Sequence, residues 1–139
     1  MTKLEYALLF VKNGISVFPL RHRGKEPESK LISGQWENFT TEIPSISLLE
    51  RWLSSDWQNY AVVCGWENLV VVDFDNMDYF NIWMLWASTQ HEIIRYACET
   101  AFKVKTSRGV HVYVRTLEPE VNGKRIKKKG GIDIQAQRK

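Results

Sequence analysis

Two carboxylates separated by a single residue follow a run of valines. Residues 70–72 lead directly into Asp73, and Asp75 follows two positions later. On a β-strand, residues i and i+2 point to the same face, so both carboxylates are expected to project together while Phe74 turns into the core. Adjacent negative charges are costly unless a cation lies between them, and Mg²⁺ and Mn²⁺ prefer such oxygen ligands. The pattern indicates a metal site; the alternative is an Asp pair hydrogen-bonded in a turn with Asn76.

A second polar group lies in the segment from Ser107 to His111. Gly109 permits a tight turn or a close approach of the backbone to a phosphate, and the Arg108 guanidinium can donate two parallel hydrogen bonds to phosphate oxygens. Alternation along the following strand places His111 on the polar face and three valines on the core face. The segment indicates an anion-binding site beside a histidine; the alternative is a surface histidine with no role.

A third carboxylate, Asp133, follows two glycines and stands between two isoleucines. The isoleucines are expected to face the core, so Asp133 and Gln135 are expected to face away from it. If the three strands share one sheet, this carboxylate converges with the Asp73–Asp75 pair and with His111. Three carboxylates and a histidine beside a basic segment match the needs of metal-assisted phosphoryl or nucleotidyl transfer, in which carboxylates hold metals and cations hold the triphosphate.

The order and spacing of these groups resemble the N-terminal catalytic domain of bifunctional DNA primase–polymerases, within the archaeo-eukaryotic primase superfamily. The first motif of that family, hDhD, resembles residues 72–75, and the third motif, hD, resembles Ile132-Asp133. The second motif, sxH, resembles residues 107–111 with two extra residues between serine and histidine, so only His111 has a fixed counterpart. Similar segments upstream extend the resemblance over almost the whole chain: residues 14–20, 25–27, 36 and 59–65.

The resemblance implies an α+β fold with a mainly antiparallel, RRM-like catalytic sheet flanked by helices, and with an N-terminal αβ unit. It implies template-directed synthesis of DNA or of an RNA primer in the replication of a plasmid, phage or other mobile element. A primer 3′-hydroxyl would attack the α-phosphate of an incoming dNTP or NTP. The carboxylates that the resemblance assigns to two Mg²⁺ or Mn²⁺ ions are Asp73, Asp75 and Asp133. The residues that it assigns to the nucleotide are His111, Ser107, Arg108 and Lys25.

The chain is expected to form one domain over residues 1–139 that is incomplete at its C-terminus. In the family, a Gly-rich strand and a further segment follow the third motif, whereas this sequence ends six residues after Asp133. The helicase region common in longer relatives does not occur in it, so a helicase domain or protein is an expected partner beside the DNA template and primer. We expect the chain to descend from this family, whereas full activity of the 139-residue form does not follow from the resemblance.

The elements that must position these residues follow from periodicity and turn residues. Apolar positions at i, i+3, i+4 and i+7 predict a helix over residues 3–13, with Thr2 as its N-cap and Gly14 at its end. Two antiparallel hairpins are predicted, each joining two β-rich runs. Their strands are residues 60–64 with 69–74, and residues 102–105 with 110–115.

The remaining segments complete an α+β domain with a mainly antiparallel sheet. Pro19 keeps a short strand over residues 15–20 out of a sheet centre. Ser45 or Ser47 can cap a short helix, whose expected inner face is Ile46, Leu49, Trp52 and Leu53. The other predicted segments are a loop over residues 21–44, an apolar helix or helix pair over 77–101, a basic loop over 118–131 and a strand over 132–136. The core positions expected in the helix pair are Tyr79, Phe80, Trp83, Trp86, Ile93, Ile94 and Ala97.

Composition limits the class of protein. Of the 139 residues, 44% are hydrophobic and 25% are charged, which excludes wholesale disorder. No apolar run approaches the ~18 residues of a transmembrane helix, and no signal peptide is recognised, so a cytoplasmic location away from membranes is expected. Cys64 and Cys98 form no CxxC pair, which argues against a disulfide framework or a cysteine zinc site.

Charge is divided unevenly along the chain. Residues 1–101 carry 8 Lys and Arg against 13 Asp and Glu, whereas residues 102–139 carry 11 against 3. A basic segment of this kind can bind a polyanion such as nucleic acid, or form a solvated surface. We expect a cluster within it to contact template phosphates, and its members are Lys124, Arg125, Lys127, Lys128 and Lys129.

Two other functions remain open from the sequence. A hydrophobic strand that ends in DxD also occurs in haloacid-dehalogenase-type phosphatases, but that class requires a DxDGT-like motif near the N-terminus, whereas Asn76 follows the pair here. A nucleic-acid-binding module with little or no synthesis needs only the basic third and aromatic side chains that stack on bases. The aromatic candidates, each with core packing as its alternative, are Trp36, Trp57, Trp66 and Tyr113.

Overall fold

A computed structural model describes residues 1–32, 35–55, 57–116, 125–128 and 132–135. The chain divides into two compact units, Met1–Glu67 and Asn68–Gln137. The expectation of one domain over residues 1–139, incomplete at its C-terminus, stays a prediction. In the described part of the chain, no helix is long and apolar enough to cross a membrane.

The first unit begins with helix α1 (Lys3–Lys12), which confirms the predicted N-terminal helix. The Thr2 hydroxyl accepts a hydrogen bond from the Glu5 backbone N–H at 3.2 Å, and the Glu5 carboxylate accepts one from the Thr2 N–H at 2.6 Å. Each bond satisfies an N–H group near the helix start. This hydrogen bonding lowers the pKa of Glu5. At the other end, Gly14 has a φ of +77°, the left-handed conformation expected of it.

A two-stranded antiparallel sheet and a second helix complete the first unit. Strand β1 (Val17–Leu20) pairs with β2 (Asn59–Val62), and Pro19 is tolerated because each strand has only one neighbour. Helix α2 (Ile46–Trp52) begins where the Ser45 hydroxyl accepts from the Leu48 N–H at 3.2 Å. The segment predicted as a loop over residues 21–44 is in fact partly ordered, with a 3₁₀ helix at Trp36–Thr40.

The core of the first unit lies between these helices and the small sheet. Its buried members are Ala7, Val17, Ile32, Leu49, Trp52 and Leu53. The Trp52 indole N–H donates to the Leu31 carbonyl at 3.0 Å, so this buried ring keeps its hydrogen bond. The expected inward position of Ile46 is wrong: it is 47% exposed, because it occupies the first helical position and burial begins one turn later at Leu49.

The second unit contains a five-stranded antiparallel sheet, in agreement with the predicted α+β fold. Its strands are β3 (Leu69–Phe74), β4 (Phe102–Lys105), β5 (Val110–Arg115), β6 (Arg125–Lys128) and β7 (Ile132–Gln135). Their order in the sheet is β4-β5-β3-β7-β6. Strand β6 corrects the predicted loop over residues 118–131. Three of its four residues are basic, so its sequence carries no apolar alternation, and pairing with β7 defines the strand.

The hairpin predicted between residues 60–64 and 69–74 is wrong. Strand β2 pairs with β1, whereas β3 pairs with β5 and β7. Three of the six residues that connect β2 to β3 have positive φ: Gly65 at 90°, Glu67 at 49° and Asn68 at 60°. Such a connection is not a hairpin turn, and it leads the chain from one sheet into the other. The hairpin of β4 and β5, by contrast, is confirmed.

Two helices follow β3, as the sequence predicts: α3 (Met77–Ser88) and α4 (Glu92–Thr100). Phe80 and Trp83 of α3 pack on Phe74, with ring centroids 5.7 and 5.4 Å away. Much of the expected apolar core of the pair is nevertheless wrong, because only the stripe of α3 at positions 80, 83, 84 and 87 is covered. The exposed residues that were expected inside are Tyr79, Trp86, Ile93, Ile94 and Ala97.

Both cysteines are buried, and no disulfide joins them. Cys98 lies in α4 and Cys64 follows β2. Burial raises the pKa of the Cys98 thiol. These residues therefore behave as small apolar side chains of the fold.

Candidate functional site

Strand β3 lies at the centre of the five-stranded sheet, and its last residues carry the candidate chemistry. Asp73 is paired in register with His111 of β5 on one side and with Asp133 of β7 on the other. Opposed residues of antiparallel strands share one face of the sheet, with Cβ atoms about 4.5–5.5 Å apart. We call His111, Asp73 and Asp133 the polar row. The three strands therefore share a sheet, and it brings these three predicted site residues together.

The next position along the same strands forms a second row of opposite character. Phe74 is paired with Val110 on β5 and Ile132 on β7, and we call these residues the apolar row. Phe74 is 1% exposed, as its predicted inward orientation requires. Val112 and the α3 side chains complete this core. Because successive strand residues point to opposite faces, the apolar row packs in the core on one face and the polar row lies on the other.

Within the polar row, the His111 Nε2 atom lies 3.2 Å from the Asp73 carboxylate. The side chains of His111 and Asp73 are 33% and 18% exposed, so solvent and a ligand can reach both. Asp133 is only 8% exposed. It faces away from the apolar row as expected, yet it is buried. Two carboxylates thus face each other on β3 and β7, and the His111 imidazole lies beside one of them.

Asp75 lies one residue beyond β3 and is exposed. The expectation that it shares a strand face with Asp73 is wrong, because the strand ends at Phe74 and the chain bends there. The bend leads into α3, whose first turn is capped by the Asn76 side chain accepting from the Asp78 N–H at 2.7 Å. Asp75 therefore lies in an exposed bend one residue beyond the strand that carries Asp73.

The turn between β4 and β5 carries two of the predicted phosphate ligands. Ser107 and Arg108 are exposed at its tip, and Gly109 at its base is buried. Two hydrogen bonds close the turn: the Thr106 N–H donates to the Gly109 carbonyl at 2.9 Å, and the Gly109 N–H donates to the Thr106 hydroxyl at 3.0 Å. The role of Thr106 was missed at the sequence level, although a threonine that begins a four-residue turn is a known turn-forming signal.

The remaining predicted ligands lie elsewhere. Lys25 belongs to the first unit, where it is exposed in the short loop closed by the Arg21–Glu26 ion pair of 2.9 Å. In the basic cluster, Arg125, Lys127 and Lys128 lie on β6, in register with Gln135, Asp133 and Ile132. Lys124 and Lys129 lie outside the described residues. The roles assigned to these residues stay predictions.

Three of the four aromatic candidates for base stacking are partly buried. Trp36 packs on Phe18 at 5.2 Å, and Tyr113 packs on Phe102 at 5.5 Å. Trp66 is half-buried. Among the four candidates, Trp57 alone is classed as exposed, at 56%. Core packing therefore accounts for Trp36, which packs against the core of the first unit.

The donor set can be compared with what a divalent cation needs. Within the described ranges, no group of three or more His, Cys, Asp or Glu side chains is arranged to hold a metal ion by itself. Mg²⁺, however, is commonly bound by one or two carboxylates together with substrate phosphates and water, not by a closed protein cage. The facing carboxylates of Asp73 and Asp133 fit that open type of site.

Comparison with known proteins gives the family. No curated protein matches the chain. A family model described as the N-terminal domain of bifunctional DNA primase/polymerase matches residues 7–139, which is nearly the whole chain. The resemblance drawn from the three motifs is thereby confirmed. The chain belongs to the family of bifunctional DNA primase/polymerase N-terminal domains, which implies DNA primase or polymerase activity in general.

Proposed function

We propose that this chain joins nucleotides on a DNA template by metal-assisted nucleotidyl transfer at the polar row. The observation that carries the proposal is the register that sets Asp73 directly between His111 and Asp133. Two carboxylates provide ligands for hard cations, and a histidine beside them can interact with phosphate oxygens. The apolar row on the opposite face holds this arrangement rigidly on strands, which favours a fixed geometry.

Enzymes of this family generally use divalent metals, and we assign two Mg²⁺ or Mn²⁺ ions to Asp73, Asp133 and Asp75. When bound, such ions neutralise the triphosphate charge and favour attack by the primer hydroxyl. Asp73, which is 18% exposed, and the buried Asp133 are fixed by the sheet. Asp75, at the exposed strand end, is free to approach an ion that the nucleotide brings with it.

The incoming dNTP or NTP is assigned to the cationic side of the site. His111, Ser107 and Arg108 bind its phosphates. The assignment of Lys25 as a further phosphate ligand rests on the resemblance alone. The primer 3′-hydroxyl gives up its proton to water and its oxygen forms a bond to the α-phosphorus, while the bond from that phosphorus to the bridging oxygen breaks and pyrophosphate leaves. The rigid turn over residues 106–109 keeps the phosphates in line for this step.

The template strand is assigned to the basic cluster. Arg125, Lys127 and Lys128 lie on the edge strand β6, beside the strand that carries Asp133. Lysine and arginine contacts with phosphates supply sequence-independent affinity. Replication of a plasmid, phage or other mobile element, a helicase partner and a cytoplasmic location belong to the same proposal and rest on the resemblance alone.

A second candidate is a nucleic-acid-binding domain that synthesises little or nothing. It is favoured by one observation: three of the four residues of the edge strand β6 are basic, and such a strand can bind a polyanion whether or not synthesis follows. The phosphatase alternative has less support, because the chain belongs to the primase/polymerase family.

Primer extension separates the two candidates. Wild type, Asp73→Asn and the matched control Asp78→Asn are incubated with a primed DNA template, dNTPs and Mn²⁺ or Mg²⁺. Asp78 is exposed in the first turn of α3, so its change leaves the polar row intact. Metal-dependent extension by wild type and Asp78→Asn, with loss in Asp73→Asn, is expected. DNA binding without extension by the wild type would favour the binding domain.

A further inference from the structure

Gly109 lies against the end of β3. A Cβ atom added to it would overlap the Phe74 carbonyl oxygen and would lie 2.8 Å from the Phe74 carbonyl carbon and 3.0 Å from the Asn76 nitrogen. All three atoms are backbone, so they cannot move aside as a flexible side chain would. They belong to the two residues that flank Asp75. The turn between β4 and β5 is therefore in close backbone contact with the chain segment that carries this carboxylate.

The need for glycine here is one of space, not of backbone conformation. Its φ is not in the left-handed region, where Gly14 and Gly65 lie. Most residues could adopt the same backbone angles, but none could bring its Cα this close to β3. The contact therefore fixes how near the turn comes to the end of the strand.

Thr106 fixes the shape of the same turn. Its hydroxyl accepts the Gly109 N–H and its own N–H donates to the Gly109 carbonyl, at 3.0 and 2.9 Å. The two residues between them, Ser107 and Arg108, are exposed. Thr106 and Gly109 thus hold the base of the turn while its tip faces solvent.

We propose that Gly109 and Thr106 are positioning residues that set the spacing between the nucleotide-binding turn and the carboxylates of residues 73 and 75. This inference rests on the proposed function. A triphosphate that contacts the turn at one end and the ions held by the carboxylates at the other must match that spacing. A misplacement of about 1 Å can cost about a hundredfold in rate. Neither residue contacts the substrate; they act through Ser107, Arg108 and Asp75.

The first test replaces Gly109 by alanine. We expect the affinity for dATP in the presence of Mn²⁺, measured by calorimetry, to fall about tenfold or more, and kcat/KM for extension to fall with it. The rise in melting temperature that Mn²⁺ alone produces should persist, because Asp73 and Asp133 are paired elsewhere in the sheet. A residue with only a structural role would instead lower the melting temperature while leaving the nucleotide affinity of the folded fraction unchanged.

Thr106 supplies a second test that does not depend on the fold tolerating a Cβ at Gly109. Thr106→Val removes the hydroxyl but keeps the shape, whereas Thr106→Ser keeps the hydroxyl. We expect weaker dATP binding in the valine variant and rescue in the serine variant. The matched control is Thr89→Val, which removes a hydroxyl that donates to Trp86 at 2.7 Å at the end of α3. It should leave dATP affinity unchanged.

The outcomes separate this inference from the proposed function. Wild type that binds dATP and extends primers, beside folded Gly109→Ala and Thr106→Val that do so equally well, overturns the positioning role and leaves the proposed function intact. Wild type that binds dATP without extension overturns the polymerase activity, and the affinities of the variants still decide the positioning role. Wild type that does neither overturns both.

Discussion

The polar row and the apolar row lie one residue apart on the same three strands, yet they differ in almost every property. His111, Asp73 and Asp133 place two carboxylates and an imidazole side by side, whereas Val110, Phe74 and Ile132 place three apolar side chains side by side. The pleat alone separates them. The comparison shows how a sheet can carry charged groups close together. The apolar row packs into the core at the next position of the same strands, on the opposite face, and stabilises the sheet that holds the polar row.

The largest expected effect on stability comes from a substitution in the apolar row. Phe74→Ala removes a ring that is 1% exposed and that contacts both Phe80 and Trp83, so the free energy of unfolding should fall by about 3–5 kcal/mol. Urea unfolding measures this value. Phe102→Ala, at a ring that is 42% exposed, serves as the control and should cost far less. Equal losses in the two variants would contradict the assignment of the apolar row to the core.

The next effect comes from the polar side. Asp133→Asn keeps the size of the side chain but removes the charge that faces Asp73, so it should change metal binding more than folding. The stabilisation by Mn²⁺, about 2.7 kcal/mol at a hundredfold excess over Kd, should disappear. Thermal melting with and without Mn²⁺ tests both statements. A retained Mn²⁺ shift would remove Asp133 from the metal ligands, and Asp78→Asn should behave as wild type.

His111 should have a smaller and more selective effect. Its Nε2 lies 3.2 Å from Asp73 and its side chain is 33% exposed, so it can bind both the carboxylate and a phosphate. His111→Ala is expected to raise KM for dNTP about tenfold, the cost of one charge-assisted hydrogen bond, with a smaller change in kcat. Steady-state extension kinetics give both constants. The control is His91→Asn, which keeps a side-chain cap on α4. A KM that does not move would exclude His111 from phosphate binding.

The two rows also show what the sequence could and could not predict. The alternation of Asp73 with Phe74, and of His111 with the valines, depends only on the local period of two, so the face of each residue was predictable. The motifs also gave the order of the site residues. Pairing partners depend on contacts between distant segments, and this is why the hairpin between residues 60–64 and 69–74 was predicted wrongly.

Other errors have similarly local causes. Asp75 was expected to share the strand with Asp73, but the cap of α3 by Asn76 ends β3 one residue earlier. Strand β6 was missed because a run of basic residues has no apolar period. In α3, aromatic residues occur on several sides of the helix, and composition alone could not tell which side the sheet covers.

The smallest expected effect is on the salt dependence of DNA binding, and it concerns the edge strand β6. The register of β6 places Lys127 opposite Asp133, in line with the polar row, and Lys128 opposite Ile132, in line with the apolar row. If the cluster binds template phosphates, the triple variant Arg125→Ala, Lys127→Ala, Lys128→Ala should flatten the dependence of log K on log salt by about 1.4, because Arg125 and Lys127 each lose a contact worth about 0.7 with a single strand. Fluorescence anisotropy over a series of NaCl concentrations measures the slope.

Single variants then assign the effect to one row. Because opposed positions of paired strands share a face, Lys127 and Lys128 belong to opposite faces of β6, and one template strand cannot follow both faces equally. We therefore expect the slope to change in Lys127→Ala, in line with Asp133, and to change little in Lys128→Ala. The control Lys12→Ala, at the end of α1 in the first unit, should leave the slope unaltered. A larger change in Lys128→Ala would place the template on the face of the apolar row and would separate DNA binding from the polar row altogether.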